Sequence, residues 1–594
     1  MNPMIQPNKA ALISLLALAC FGLSPAVRAL LPPPPPDGGY PNQNTAEGNN
    51  ALFHLNSGAR NTAVGFKALY TNTTSSDNTA VGWQALLHNT SGTDNTSTGA
   101  KALFSNTTGL NNTANGAFAL SSNNAGNGNT ASGVGALFSN TTGGSNTATG
   151  DAALFDNTTG SRNTANGADA LAHTISSQNT ATGFEALFNN IAGDNNTADG
   201  AFALSSNFNG SHNTAFGAAV LLSNTATGNT GIGSGALRSN TTGGTLGNTQ
   251  GFDVGPNVAV GWRALESNTI ASANTAVGYQ ALRSFVEGQG GTDRGHCTAV
   301  GFQALANATG FFNSGFGYQA LYNNTSGTSN VAVGARAMFR NGTGESNTAI
   351  GDFALQSNTT GDFNTAIGYG TFNFGNHTGN GDTAVGYTAL IDNTTGNNNT
   401  ALGFQAGGGV STANNVICIG ANVSGANVSN SCYIGNIWMQ TGGSQAVYVS
   451  SAGKLGFQVS SRRFKQDIKP IEQASEAIYG LKPVSFRYKP EIEPTRRIGF
   501  GLIAEDVAEV NPELVAHGSD GKVASVRHDA VNAMLLNEFL KEHRKVQAQG
   551  DTIAQLKDLV TQQQKQLEAL KTGLEEVNNQ VQLTKAAPHF AVTQ

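Results

Sequence analysis

Apolar residues in the first two-thirds of the chain recur as pairs: Ala51-Leu52, Ala68-Leu69, Ala85-Leu86 and Ala102-Leu103 open a series that continues to Ala389-Leu390. Ahead of each pair stands a pentapeptide NTAxG, whose first residue falls at Asn44, Asn61, Asn78, Asn95, Asn112, Asn129, Asn146 and Asn163, in steps of 17 residues. The column runs on through Asn179, Asn196, Asn213, Asn229, Asn257, Asn274, Cys297, Asn313, Asn330, Asn347, Asn364, Asp382 and Asn399. Two longer steps, around Phe252 and around Glu287 to Gly291, read as inserted loops. One Leu per unit is a thin core, and it becomes continuous only when successive units stack. A unit this short cannot hold two packed helices, yet it suffices for two short strands joined by Asn/Gly turns. Residues 44–407 are therefore expected to form a parallel β-solenoid or β-roll, with the Gly of each pentapeptide at a bend of positive φ.

The period fades over residues 408–459, a neck in which VICIG and SCYIG keep the solenoid pattern. From Phe539 a different rhythm takes over. Phe539, Val546, Ile553, Val560, Leu567, Leu574 and Val581 recur every seven residues, with Leu556, Leu570 and Val577 three positions later. This spacing predicts a coiled coil over 546–585, followed by a short tail, 586–594.

Composition sharpens the division. Residues 460–594 carry 18 Lys plus Arg and 18 Asp plus Glu, leaving 32 of the chain's 68 charges for the first 459 positions. A net charge of −6 spread this thinly offers no basic face for a phosphate backbone, so nucleic acid is not an expected partner. At the N-terminus, Lys9, the apolar run Ala10 to Leu23 and the ending Val27-Arg28-Ala29 read as a signal peptide, 1–29, so the protein is expected at the cell surface or outside the cell. Pro-rich residues 30–43 form a stiff spacer, and no later segment is apolar enough for a membrane span. Cys297, Cys418 and Cys432 would remain in the mature chain. Aligning VICIG with SCYIG sets Cys418 and Cys432 in adjacent columns, facing opposite sides of a strand, so no bridge joins them. His54, His88, His173 and His212 are scattered and read as surface residues; no metal or cofactor is expected. The many Asn-x-Thr triplets read as turns and stacked ladders.

Units such as NTAVGWQAL and NTAIGDFAL resemble the head repeats of trimeric autotransporter adhesins and phage fibre shafts, with a longer period and no C-terminal membrane barrel. From Ser460, four blocks occur in order: SSRRFKQDIKPI, GLKPVSFRYK from Gly480, GFGLIAEDVAEVNPELV from Gly499, and a helix opening near Asp529. Residues 460–545 thereby resemble the intramolecular chaperone of tail-spike endosialidases, a small α+β domain. The resemblance implies a homotrimer and a self-cleaving serine peptidase, acting once at Val459-Ser460 and on no other substrate. By the same resemblance Ser460 is the nucleophile and Lys465 its base. A serine hydroxyl needs such a base, and a desolvated lysine can serve. Ser461 is the second candidate nucleophile, with Glu505, Asp506 and His528 as possible orienting groups. The expected whole is an exported trimeric fibre or adhesin, mainly β, with surface glycans or a host surface as possible partners. The alternatives are a solenoid adhesin with an inert chaperone end, and a polymer-binding tail fibre.

Overall fold

The computed structural model describes residues 40–244, 255–285, 295–437 and 460–584 apart from 374, 376, 491, 494 and 519, together with the backbone of 247–249, 252–254, 448–449 and 455–456. The proposed signal peptide, most of the spacer, the second insertion, most of the neck beyond Ile437, Val459 and the tail lie outside the described residues. The chain forms two units, 1–440 and 441–594.

The first unit is a parallel solenoid built on one 23-stranded sheet. Each turn contributes a three-residue strand, such as Thr62–Val64 or Thr79–Val81, and equivalent residues pair: Ala63 with Ala80, Val64 with Val81. The middle Ala is buried and the residues either side of it face outward. There is one strand per turn where the residue count had allowed two. The stretch that follows the strand and its Gly bend holds alternate residues in the left-handed region, Lys67 at φ 54° and Leu69 at φ 48°, then Gln84 at 58° and Leu86 at 51°. Alternation of this kind bends the chain too sharply for a strand. Backbone bonding between turns nevertheless continues there, with Leu69 N donating to Ala85 O at 3.0 Å and Gln84 N to Phe66 O at 2.8 Å. A branched side chain at positive φ is strained by about 1–3 kcal/mol, and stacking of the buried Leu column offsets that cost. Glycine is required at the bend: Gly65 sits at φ +131°, and a Cβ there would lie 2.5 Å from the Gly82 carbonyl oxygen of the next turn.

Two columns of fully buried asparagines flank the Ala/Leu strip. In the column that opens each pentapeptide, Asn112 N and Nδ2 donate to Asn95 Oδ1 at 3.0 and 3.1 Å, and Nδ2 also donates to Gly126 O at 2.8 Å. In the second column Asn106 Nδ2 donates to Asn89 Oδ1 at 2.9 Å, and Asn123 Nδ2 to Asn106 Oδ1 at 2.8 Å. These amides are saved from the cost of burial because each turn supplies the partners of the next. Asn72 and Asn106, which open Asn-x-Thr triplets, are 0 % exposed and serve as ladder rungs.

The longer step around Phe252 is an insertion that holds an antiparallel hairpin, Gly247–Thr249 with Phe252–Val254. The sheet bridges it, pairing Thr230–Ile232 directly with Val258–Val260. Two further strands, Ile417–Ile419 and Cys432–Ile434, extend the sheet past Gly407 in the register that sets Cys418 opposite Tyr433. Cys418 is buried and Cys432 exposed, and both thiols are free. Cys297 replaces one rung of the first asparagine column, its N–H donating to Asn274 Oδ1 at 3.0 Å; burial pushes its thiol up to about 12.

The second unit holds a 3-10 segment Glu472–Gly480, an antiparallel pair Val484–Phe486 with Gly499–Gly501, and helix α1, Ala504–Val510. A second pair, Val515–His517 with Val523–Val526, leads into helix α2, His528–Thr584. Its core is small, Val507, Leu514 and Val515 with Leu481, Val531 and Met534 packed around them. Helix α2 runs unbroken through residue 545, and Glu538 is its one buried residue. No helix among the described residues is long and apolar enough to cross a membrane.

Candidate functional site

The opening block of the second unit folds locally. Arg462–Phe464 is a single 3-10 turn, closed by Phe464 N donating to Ser461 O at 3.0 Å and Lys465 N to Arg462 O at 3.1 Å. Lys465 leaves the turn in an extended conformation, φ −125° and ψ 142°. The reversal brings two side chains five residues apart together: Lys465 Nζ lies 3.1 Å from Ser460 Oγ. Both residues are exposed, as are Ser461 and the flanking Phe464 and Ile468. Arg463 caps the Phe464 ring at 4.6 Å. A lysine takes up a proton only after a low-dielectric surrounding has disfavoured its charge, so the pair has the contact that base catalysis needs and, in the single chain, not yet the cover.

The other candidates lie elsewhere. Glu505 and Asp506 occupy the first turn of α1, and His528 opens α2, all three exposed. Among the described residues none of the three hydrogen-bonds Ser460 or Lys465. His54, His88 and His212 are exposed, while half-buried His173 pairs with Asp156 at 2.6 Å.

A second polar cluster escaped sequence reasoning. Ser475 Oγ donates to Glu538 Oε1, Tyr479 Oη donates to Glu538 Oε2 at 2.9 Å, and Lys541 Nζ lies 2.6 Å from Glu538 Oε1. Asn537 Nδ2 donates to Ser475 Oγ at 2.7 Å. The Lys541 hydrogen bond, followed by that from Ser475, holds the Glu538 carboxyl down at about 2. Fully buried Ser475 is thus a clamp between the 3-10 segment and α2. The only hint in the sequence is a Glu and a Lys one helical turn apart, which is commonplace on a helix surface.

A repeating solenoid followed by a small α+β unit with a serine-lysine contact at its start suggests a fibre-like chain with a distinct C-terminal unit. Residues 460–516 match the peptidase family described as Chaperone of endosialidase, which is a serine-peptidase type of chaperone. The match begins at Ser460 and takes in the first three sequence blocks; the helix opening near Asp529 lies beyond it. No curated protein and no solved structure matches the chain.

Proposed function

We propose that this protein is an exported, trimeric fibre or adhesin-like molecule whose residues 460–594 guide assembly and then cut the chain at Val459-Ser460. The observation that carries the reading is the 3.1 Å contact between Lys465 and Ser460 at the first position of the matched segment. In the proposed step Ser460 Oγ attacks the Val459 carbonyl carbon and Lys465 takes the hydroxyl proton. The proton passes to the departing amide nitrogen as the C–N bond breaks, leaving an ester between Val459 and Ser460 Oγ. Water then hydrolyses the ester, releasing a Val459 carboxylate and restoring the serine hydroxyl. The event is single-turnover, because the substrate is the chain itself.

Trimerisation is supported by α2. Its seam residues are bare in the single chain, with Phe539 65 %, Leu567 69 % and Leu574 73 % exposed along a helix of roughly 85 Å. An apolar heptad seam of this length is covered by identical helices in parallel, and three chains accord with the chaperone family. Assembly would also shield Ser460 and Lys465 from water, so that cleavage follows trimer formation. Removal of the template would leave the shaft kinetically trapped.

Intact-mass measurement of purified full-length protein tests this. The expected products end at Val459 and begin at Ser460; Ser460→Ala stays whole while still trimerising, and Lys465→Ala is cut far more slowly or not at all. Normal cleavage of Ser460→Ala at this bond would rule out Ser460 as the nucleophile and make Ser461 the first alternative to test.

A further inference from the structure

Past the first three strands, where it is Glu47, Val64 and Val81, the outward-facing third residue of each strand divides the rest of the solenoid into two stretches. Over the seven strands from Thr98 to Asp199 this residue is always polar, as in Asn115, Ser132 and Asn166. Over the thirteen sheet strands from Phe216 to Ile434 it is always apolar, as in Ile232, Val277, Ile350 and Leu402. Unshifted register keeps these residues in one line, with Val333 opposite Ile350 and Ile350 opposite Ile367. They are solvent-facing: Ile350 is 40 % and Leu402 49 % exposed.

Two positions further along, seven of these thirteen turns carry a ring beside the line, in two runs separated by Ala335 and Asp352. Trp262, Tyr279, Phe302 and Tyr318 stack at 4.9, 4.9 and 5.4 Å with interplanar angles of 19°, 4° and 13°. Tyr369, Tyr387 and Phe404 repeat the arrangement at 5.4 and 5.2 Å. Ring faces inside these stacks are occupied by neighbouring rings, so they offer no platform on which a sugar could lie. What each run presents outward is an apolar edge.

From the fractional exposures, the line and its rings expose on the order of 1,500 Å², against roughly 300–600 Å² for the largest apolar patch of an ordinary monomer and about 800 Å² per partner in a stable interface. Identical chains joined in parallel set like turns at the same level. A stripe of apolar, mostly β-branched residues then meets itself without a register penalty, and the residues of the line bring no charge to be buried. The polar stretch has the opposite chemistry and gains nothing from such contact.

We propose that the outward sheet face from Phe216 to Ile434, with the adjoining ring stacks, is the surface on which the solenoids of identical chains pack together, whereas the face from Thr98 to Asp199 remains in water. This rests on the trimer reading above and specifies which part of the shaft holds the copies together. Phe184 and Phe202, inside the polar stretch, are 45 % and 40 % exposed in the single chain; Phe302 and Tyr318 are 42 % and 46 %. Hydroxyl-radical footprinting of unmodified protein, after light scattering has established the number of chains, separates the two pairs. Phe302 and Tyr318 should be oxidised about fivefold more slowly than Phe184 and Phe202, as befits an interface core. A trimer in which all four react alike overturns the interface and leaves the trimer standing. A monomer overturns the trimer reading, and the interface with it. As a second measurement, Ile350→Cys in a Cys432→Ser background should form inter-chain disulfides on oxidation, whereas Asn166→Cys should not. An uncrosslinked Ile350→Cys trimer counts against the interface.

Discussion

Replacing either His377 or Asp382 alone by Asn should make one stretch of the solenoid strongly pH-sensitive. The two residues take the places of asparagines in the two buried columns of neighbouring turns, and both are 0 % exposed. His377 Nδ1 lies 3.2 Å from the Asn393 carbonyl and so carries a proton, which turns Nε2 toward Asp382 Oδ2 at 3.6 Å. Asp382 Oδ1 accepts from Asn399 N at 2.7 Å and Oδ2 from Asn393 Nδ2 at 3.0 Å. Burial drives the groups in opposite directions, the imidazole down to about 4 and the carboxyl up to about 7, from ordinary values of 6.5 and 3.8. The folded protein thus holds the Asp382 proton more tightly than the unfolded chain does, and that contribution to stability is lost as pH rises through about 7. The His377 proton is held less tightly, and the contribution of the neutral ring is lost as pH falls from 6.5 through about 4. In the natural pair the two slopes oppose each other over most of this window. His377→Asn leaves the carboxyl slope alone, and at about 1.4 kcal/mol per pH unit per proton it should lower stability by a few kcal/mol between pH ~4.5 and ~7.5. Asp382→Asn should show the reverse, losing stability as pH falls. The double variant restores both columns and should be nearly flat. Guanidinium midpoints followed by circular dichroism across this range, with hydrogen exchange localising the change to residues 364–400, provide the assay. If the two single variants follow parallel pH profiles, burial does not control these groups and the reasoning fails.

Asn112→Ala should cost about 2–4 kcal/mol, because it strips the buried Asn129 N–H and Nδ2 of a shared acceptor, whereas Asn115→Ala on the outer face should change stability by less than ~0.5 kcal/mol; denaturant midpoints compare the two. The Glu538 carboxyl sits below its unfolded value of 4.5, so the clamp it forms contributes fully above that pH and is lost as pH falls through about 2. Amide exchange in Glu472–Gly480 should accelerate over that interval and do so already at neutral pH in Glu538→Gln. A chain stopped at Val459 should aggregate or remain monomeric on refolding, since unpaired parallel edges await a register; efficient trimer formation, read by light scattering, would dismiss the assembly role of residues 460–594.

Most of the solenoid was legible in the sequence because a stacked fold repeats its contacts at the period of the chain. NTAxG marked the repeat and its Gly the bend, the Ala-Leu pairs marked the core, and aligning VICIG with SCYIG set Cys418 and Cys432 on opposite faces as the sheet has them. The number of strands per turn was not legible. It depends on Lys67 and Leu69 adopting positive φ, a conformation that neither residue favours by itself and that only the hydrogen bonds of the neighbouring turns sustain. The contact between Ser460 and Lys465 lies within one tight turn, short enough for local sequence to carry it. The contact between Ser475 and Glu538 spans 63 positions, and it exists because a small core brings the 3-10 segment against α2. Sequence by itself determined what recurs at a fixed spacing, since there each residue's environment is another copy of its own. Tertiary structure alone decided the contacts made once, such as the His377–Asp382 pair and the Glu538 clamp, because no periodicity announces a partner that occurs a single time.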